Sequence, residues 1–105
     1  MDVLLDAVGV RVLGSLIEKE ITTPDNYPLS LNALVAACNQ TSARDPVMAL
    51  DETMVSRSLN ELRQRSLARG EQRSDSRVMK FRHLTGEKMN LDPPELAVMC
   101  LLMLR

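Results

Sequence analysis

Thr53, Ser56, Arg57, Asn60 and Gln64 recur at helical spacing between residues 52 and 65, opposite Val55 and Leu62. On a wheel of about 100° per residue the five fall on one side, flanked by Glu61. Arg, Asn and Gln are the side chains whose paired polar atoms match guanine and adenine edges in the major groove. A helix face selected for solubility alone would carry more Glu and Lys. The chemistry offered is base recognition, with a plain solvated face as the simpler alternative.

A second set of residues has phosphate chemistry. Arg63 is followed by Arg69, Arg73, Arg77, Lys80 and Arg82 within a segment that reads as a hairpin over 67–83. Residues 57–82 carry eight basic groups against three acids, whereas residues 1–56 carry three against eight. A chain with a net charge of −1 therefore conceals a basic stretch of the kind that meets a polyanion. Cations on such a hairpin would neutralise backbone phosphates beside the groove.

Other chemistry finds little support. Cys38 and Cys100 lie far apart and His83 is the single histidine, so no zinc-ligand spacing forms and no metal is expected. No Gly-rich phosphate loop and no nucleophile with its base is recognisable, so neither a catalytic residue nor a cofactor is expected. Tyr27 and Phe81 are too few aromatics for a single-stranded RNA platform. The seven methionines are scattered and read as core filling. The opening "MDVLLDAVGV" has acids where a signal peptide needs bases, and "LAVMCLLML" is too short to span a bilayer. Unpaired thiols then fit a reducing, cytoplasmic compartment.

The elements that must position these residues are legible from period and punctuation. Asp6 caps a first helix over 7–20 whose Val8, Val12, Leu13, Leu16 and Ile17 face inward, with Arg11, Ser15 and Glu18 opposite. "TTPDNYP" is turn chemistry. Ser30 caps a second helix over 31–38 burying Leu31, Leu34 and Val35, with Asn39 ending it in a left-handed conformation. A long link follows, in which Asn39, Gln40, Arg44 and Pro46 are expected to hold the chain in place, with a protein- or ligand-contacting surface as the alternative. Asp51 caps a third helix over 52–65, with Val55, Leu59 and Leu62 buried. Strands over 67–71 and 77–83 come next, the second placing Met79 and Phe81 on one face. Three helices and a basic two-stranded hairpin predict a mainly α, α+β winged helix-turn-helix domain over residues 1–86.

Residues 87–105 are a linker and an apolar helix. Asp92, Pro93, Pro94 and Glu95 form a strong helix start, and Leu96 to Leu104 are apolar on every side, so burial all round is expected. The cover would come from the domain itself, from a homodimer partner through helix 93–104, or from a second domain that is missing.

The strings "RVLGSLIEKEITTPDNYPLSLNAL", "ACNQTSARDPVMAL", "SRVMKF" and "LDPPELAVMCLLMLR" together resemble the YceH-like family of uncharacterised bacterial winged-helix proteins. The resemblance spans almost the whole chain. It implies a winged helix followed by a second, of which residues 92–105 would be the first helix. It supplies no catalytic residues. Gly9, where relatives carry an acid, and "QRSD" at the hairpin tip depart from the family pattern. The expectation is a non-enzymatic double-stranded DNA-binding transcription regulator. The rival is a protein–protein interaction module on the same fold.

Overall fold

The computed structural model describes residues 5–72 and 77–105. Helix α1 spans Ala7–Thr22, and the Asp6 carboxylate caps it by accepting from Gly9 N–H at 2.7 Å. It runs two residues beyond the expected end, to the turn before Pro24. Its Val12, Leu13, Leu16 and Ile17 are fully buried, because α2 (Leu31–Asn39), α3 (Glu52–Gln64) and α5 (Pro93–Leu104) all pack on it.

The side of α1 expected to face water does not. Arg11 and Ser15 are both buried, Arg11 donating to the carbonyls of Cys38 in α2 and Pro46 in the link over residues 40–51. The polarity of Arg11 reflects carbonyl neighbours rather than solvent.

Leu29–Ser30 form a short strand, β1, and Ser30 Oγ then caps α2 by accepting from Ala33 N–H. Helix α2 buries Leu34, Ala37 and Cys38, while Leu31 and Val35 are only partly covered. Asn39 is the last residue of α2 and is not left-handed; Gln40 departs in an extended conformation. The termination comes instead from the Asn39 side chain, which is committed to the far end of the link.

Asp51 caps α3 through Met54 N–H, and Val55, Ser58, Leu59 and Leu62 form its buried stripe. A left-handed Ser66 closes α3: Ser66 N–H donates to Arg63 O and Leu67 N–H to Leu62 O. That reversal sends the chain directly into β2 (Ala68–Glu71), which pairs antiparallel with β3 (Lys80–His83). Arg69 lies opposite Arg82, and Gly70 opposite Phe81. The sheet has three strands in the order β1-β3-β2, because Leu29 and Ser30 pair with Phe81 and Lys80. A two-residue strand is too short to show a period, so only the hairpin was legible.

Phe81 points into the core, but Met79 precedes β3 and is 40% exposed, lying over Gly70. A short helix, α4 (Thr85–Met89), ends at a left-handed Asn90. Helix α5 then starts with the full capping box: the Asp92 carboxylate accepts from Glu95 N–H, and the Glu95 carboxylate accepts from Asp92 N–H. Its inner face packs along α1, where Gly14 lets Leu104 and Met103 approach so closely that a Cβ would sit 2.9 Å from Leu104 Cδ2. Burial all round is not achieved: Cys100 and Leu104 are covered, whereas Val98, Leu101 and Leu102 stand 55–77% exposed. The fold is thus mixed α+β, helices around a small antiparallel sheet.

Candidate nucleic-acid interface

Helix α3 turns its Val55, Leu59 and Leu62 toward α1 and α2, which fixes what faces outward. Thr53, Arg57, Asn60 and Gln64 are exposed, and Ser56 is half-buried beside them. Thr53, Ser56, Arg57 and Asn60 line an open groove along the helix, with Glu52 at its start. Asn60 also borders a second depression, shared with Arg63, Gln64, Ala68, Arg69 and Gly70. The two adjoin at Asn60, which lines both. The structure therefore brings all five proposed base-reading residues to one face and joins that face to strand β2.

The cations are arranged less uniformly. The Arg63 guanidinium carbon lies 5.8 Å from the centre of the Phe81 ring, so a core aromatic orients it across the groove. Arg69 donates Nε–H and Nη2–H to the Glu71 carboxylate at 3.1 and 2.8 Å. Arg82 Nη1 approaches the same oxygen at 3.6 Å. Hydrogen bonding from Arg69, followed by the charges of Arg69 and Arg82, holds the Glu71 carboxyl below the usual range even though desolvation opposes it. Arg77 and Lys80 are exposed. Arg73 lies outside the described residues.

The polar side chains of the link are engaged mainly with the protein itself. Arg44 is buried and grips Glu18 in a bidentate pair, Nη1 to Oε2 at 3.0 Å and Nη2 to Oε1 at 2.7 Å. Its Nε–H donates to Ala37 O, and Nη1 also to Ala43 O. Arg11, about two turns earlier on α1 than Glu18, donates to the carbonyls of Cys38 and Pro46. Gln40 accepts from Lys19 Nζ and donates to Ser42 O. Gln40, Arg44 and Pro46 thus hold the link against α1, while Asn39 bonds to Leu50 at its far end. Arg11 and Glu18 are the partners that periodicity concealed, and the one available signal was Arg11, a single charge in the otherwise almost wholly apolar stretch over residues 7–17.

His83 is also a structural residue. Its Nδ1 accepts from Thr85 N–H at 3.1 Å, which leaves Nε2 to donate to Glu20 Oε1 at 2.7 Å. Its backbone N–H donates to the Tyr27 hydroxyl at 2.7 Å. Burial pushes the Tyr27 phenol well above its ordinary range. These bonds tie the end of α1 and the entry to β1 onto β3. Cys38 and Cys100 are buried free thiols, both pushed up by desolvation. Among the described residues, no group of three or more His, Cys, Asp or Glu could hold a metal ion, and no helix is long and apolar enough to cross a membrane.

Comparison with known proteins gives the chain its kinship. Residues 5–105 match a family model described as a protein of unknown function, DUF480. A UPF0502 protein of Geotalea daltonii is 61% identical over 107 residues, covering 100% of this chain and 48% of that protein. A UPF0502 protein of Opitutus terrae is 53% identical over 102 residues, covering 97% of this chain and 44% of its own length. One from Solibacter usitatus is 55% identical over 105 residues, covering 100% and 50%. The chain spans about half the length of the curated relatives it matches. With near-complete coverage of its own length at such identities, the chain belongs to the DUF480/UPF0502 family of uncharacterised bacterial proteins.

Proposed function

We propose that this chain is a winged helix-turn-helix domain that binds double-stranded DNA as part of a non-enzymatic, cytoplasmic transcription regulator. In this reading α3 enters the major groove and the β2–β3 hairpin is the wing. The observation that supports it is a pair of adjoining depressions, one along α3 lined by Arg57 and Asn60, the other between α3 and β2 lined by Asn60, Gln64 and Arg69. A duplex laid there would meet groups able to read base edges first, then cations suited to its backbone. Helix α3 is well placed for this because its inner stripe is buried and its outer residues are not needed for packing.

The test is selection of the protein against random duplex DNA, followed by affinity measurements across salt. Five phosphate contacts would give a slope of log affinity against log salt of about −4 to −5. Absence of duplex binding at low salt would overturn the reading.

A second reading, an interaction module, is favoured by a different feature. Val98, Leu101 and Leu102 form an exposed apolar stripe on α5, with Glu95 and Arg105 on the same side at its two ends. Two copies paired antiparallel about Cys100 would set each Val98 against Leu102 and each Glu95 against Arg105. A homodimer through α5 is therefore the association this face fits, whether or not α3 also meets DNA.

A further inference from the structure

The outer face of the hairpin carries an arrangement that is unfavourable by itself. Arg69 and Arg82 are direct cross-strand partners, and like charges so placed repel. Glu71, two residues beyond Arg69 and therefore on the same face, reaches both. Its own cross-strand partner is Lys80, yet among the described residues its ion pairs are with the two arginines. The Arg82 Nε, although buried, has no hydrogen-bond partner among the described residues. Two guanidinium groups thus converge on one carboxylate oxygen with donor capacity to spare.

A guanidinium fork accepts carboxylate and phosphate oxygens in the same geometry. The fork stands at the rim of the groove, since Arg69 lines it beside Asn60, Arg63 and Gln64. The contrast with Arg44 and Glu18 is instructive. There the Arg44 side chain is wholly covered and both carboxylate oxygens are engaged, so that pair is fixed architecture. Here the Arg69 side chain is 59% exposed, and pairs in such positions are held weakly enough to exchange.

We propose that Arg69 and Arg82 form a phosphodiester clamp which Glu71 occupies in the free protein as an internal surrogate for phosphate. DNA backbone must displace the Glu71 carboxylate to seat the wing, so Glu71 restrains non-specific binding. This rests on the duplex-binding reading of α3 and the hairpin.

The experiment compares wild type, Glu71→Gln, Arg69→Ala/Arg82→Ala, and the triple variant on one short random-sequence duplex across a salt series. Thermal melting of each variant first establishes that it is folded. Glu71→Gln should tighten binding roughly two- to five-fold, the range expected for release of an exposed pair. Its salt slope should steepen by about one unit, as one more phosphate is neutralised. The Arg69→Ala/Arg82→Ala variant should bind more weakly, and adding Glu71→Gln to it should restore nothing. Duplex binding by the wild type that Glu71→Gln leaves unchanged would overturn the clamp while leaving the duplex-binding reading intact. A gain that persists in the triple variant would also overturn it, showing a general charge effect. No duplex binding by any folded variant would overturn both.

Discussion

The Asn39 carboxamide holds Leu50 by both ends of its backbone, donating to the Leu50 carbonyl and accepting from its N–H, each at 2.8 Å. It acts as one rung of a strand pair where there is no strand. The last residue of α2 is thereby fastened to the residue before the α3 cap, and the long link between them becomes a closed loop.

Asn39→Ala should therefore destabilise the domain by about 1–3 kcal/mol, the range for two lost, partly buried hydrogen bonds. Urea denaturation measures this. Amide exchange should show the largest loss of protection at Leu50 and the first turn of α3, with little change in β2 and β3.

The Arg44–Glu18 pair should give a larger effect. Removing one partner of a buried pair leaves the other uncompensated, so Arg44→Ala should cost about 3–5 kcal/mol. The pair also makes an acid-side prediction. Burial alone would raise the Glu18 carboxyl, but the hydrogen bonds and charge of Arg44, helped by Lys19, outweigh it and lower the pKa from its ordinary 4.5. A depressed folded-state pKa contributes stability above the unfolded value and loses it as pH falls through the folded one. Stability should accordingly decline below about pH 4.5, and Glu18→Gln should flatten that decline in urea melts at stepped pH.

Ser66 offers a change in the opposite direction. It occupies the left-handed position that closes α3, at φ 60°, where glycine meets no Cβ penalty. Ser66→Gly should leave the fold intact and raise stability by about 0.5–1 kcal/mol, read as a higher urea midpoint at unchanged slope.

Helix α3 lets the proposed recognition face be tested apart from folding. Arg57 is exposed and lines the groove, so Arg57→Ala should change stability by no more than about 0.5 kcal/mol. On a selected duplex it should cost about 1–3 kcal/mol and relax the sequence preference. Leu59 is buried in the stripe beneath, and Leu59→Ala should cost about 2–5 kcal/mol of stability. If Arg57→Ala leaves every binding measurement unchanged, α3 does not read DNA.

The exposed side of α5 predicts association. Burying one Leu or Met fully is worth roughly 1.5–3 kcal/mol, and Val98, Leu101 and Leu102 stand together on one face. Sedimentation should show a dimer that Leu102→Lys dissociates without lowering the melting temperature of the protomer. A wild-type monomer across the accessible concentration range would assign this face to some other partner.

Much of the framework was legible because its signals are local. Asp6, Ser30, Asp51 and Asp92 each cap the helix expected of them, and the α3 stripe follows from its period alone. The outward-facing set on α3 was legible for the same reason, since one helix fixes both faces. Where sequence reasoning failed, the determinant lay far along the chain. Arg11 marks a polar position on α1, but whether it meets water depends on a link about thirty residues later. Asn39 carries the composition of a left-handed cap, yet its side chain was already claimed by Leu50. Strand β1 exists only because β3 lies beside it. The Glu71 contact with two arginines likewise requires the hairpin register, which spacing alone does not specify.

The short bond from Asp45 N–H to the Leu104 carbonyl has a mechanical consequence. It fastens the final turn of α5 to the link one residue after Arg44. From there the anchored path runs back to α1 through Glu18, and through the rest of the link to Leu50 and the start of α3. A load applied to α5 would reach α3 along covalent chain and hydrogen bonds, without having to pass through the packed interior. Whatever grips the outside of α5 would be holding the far end of a tether whose near end sets where α3 begins.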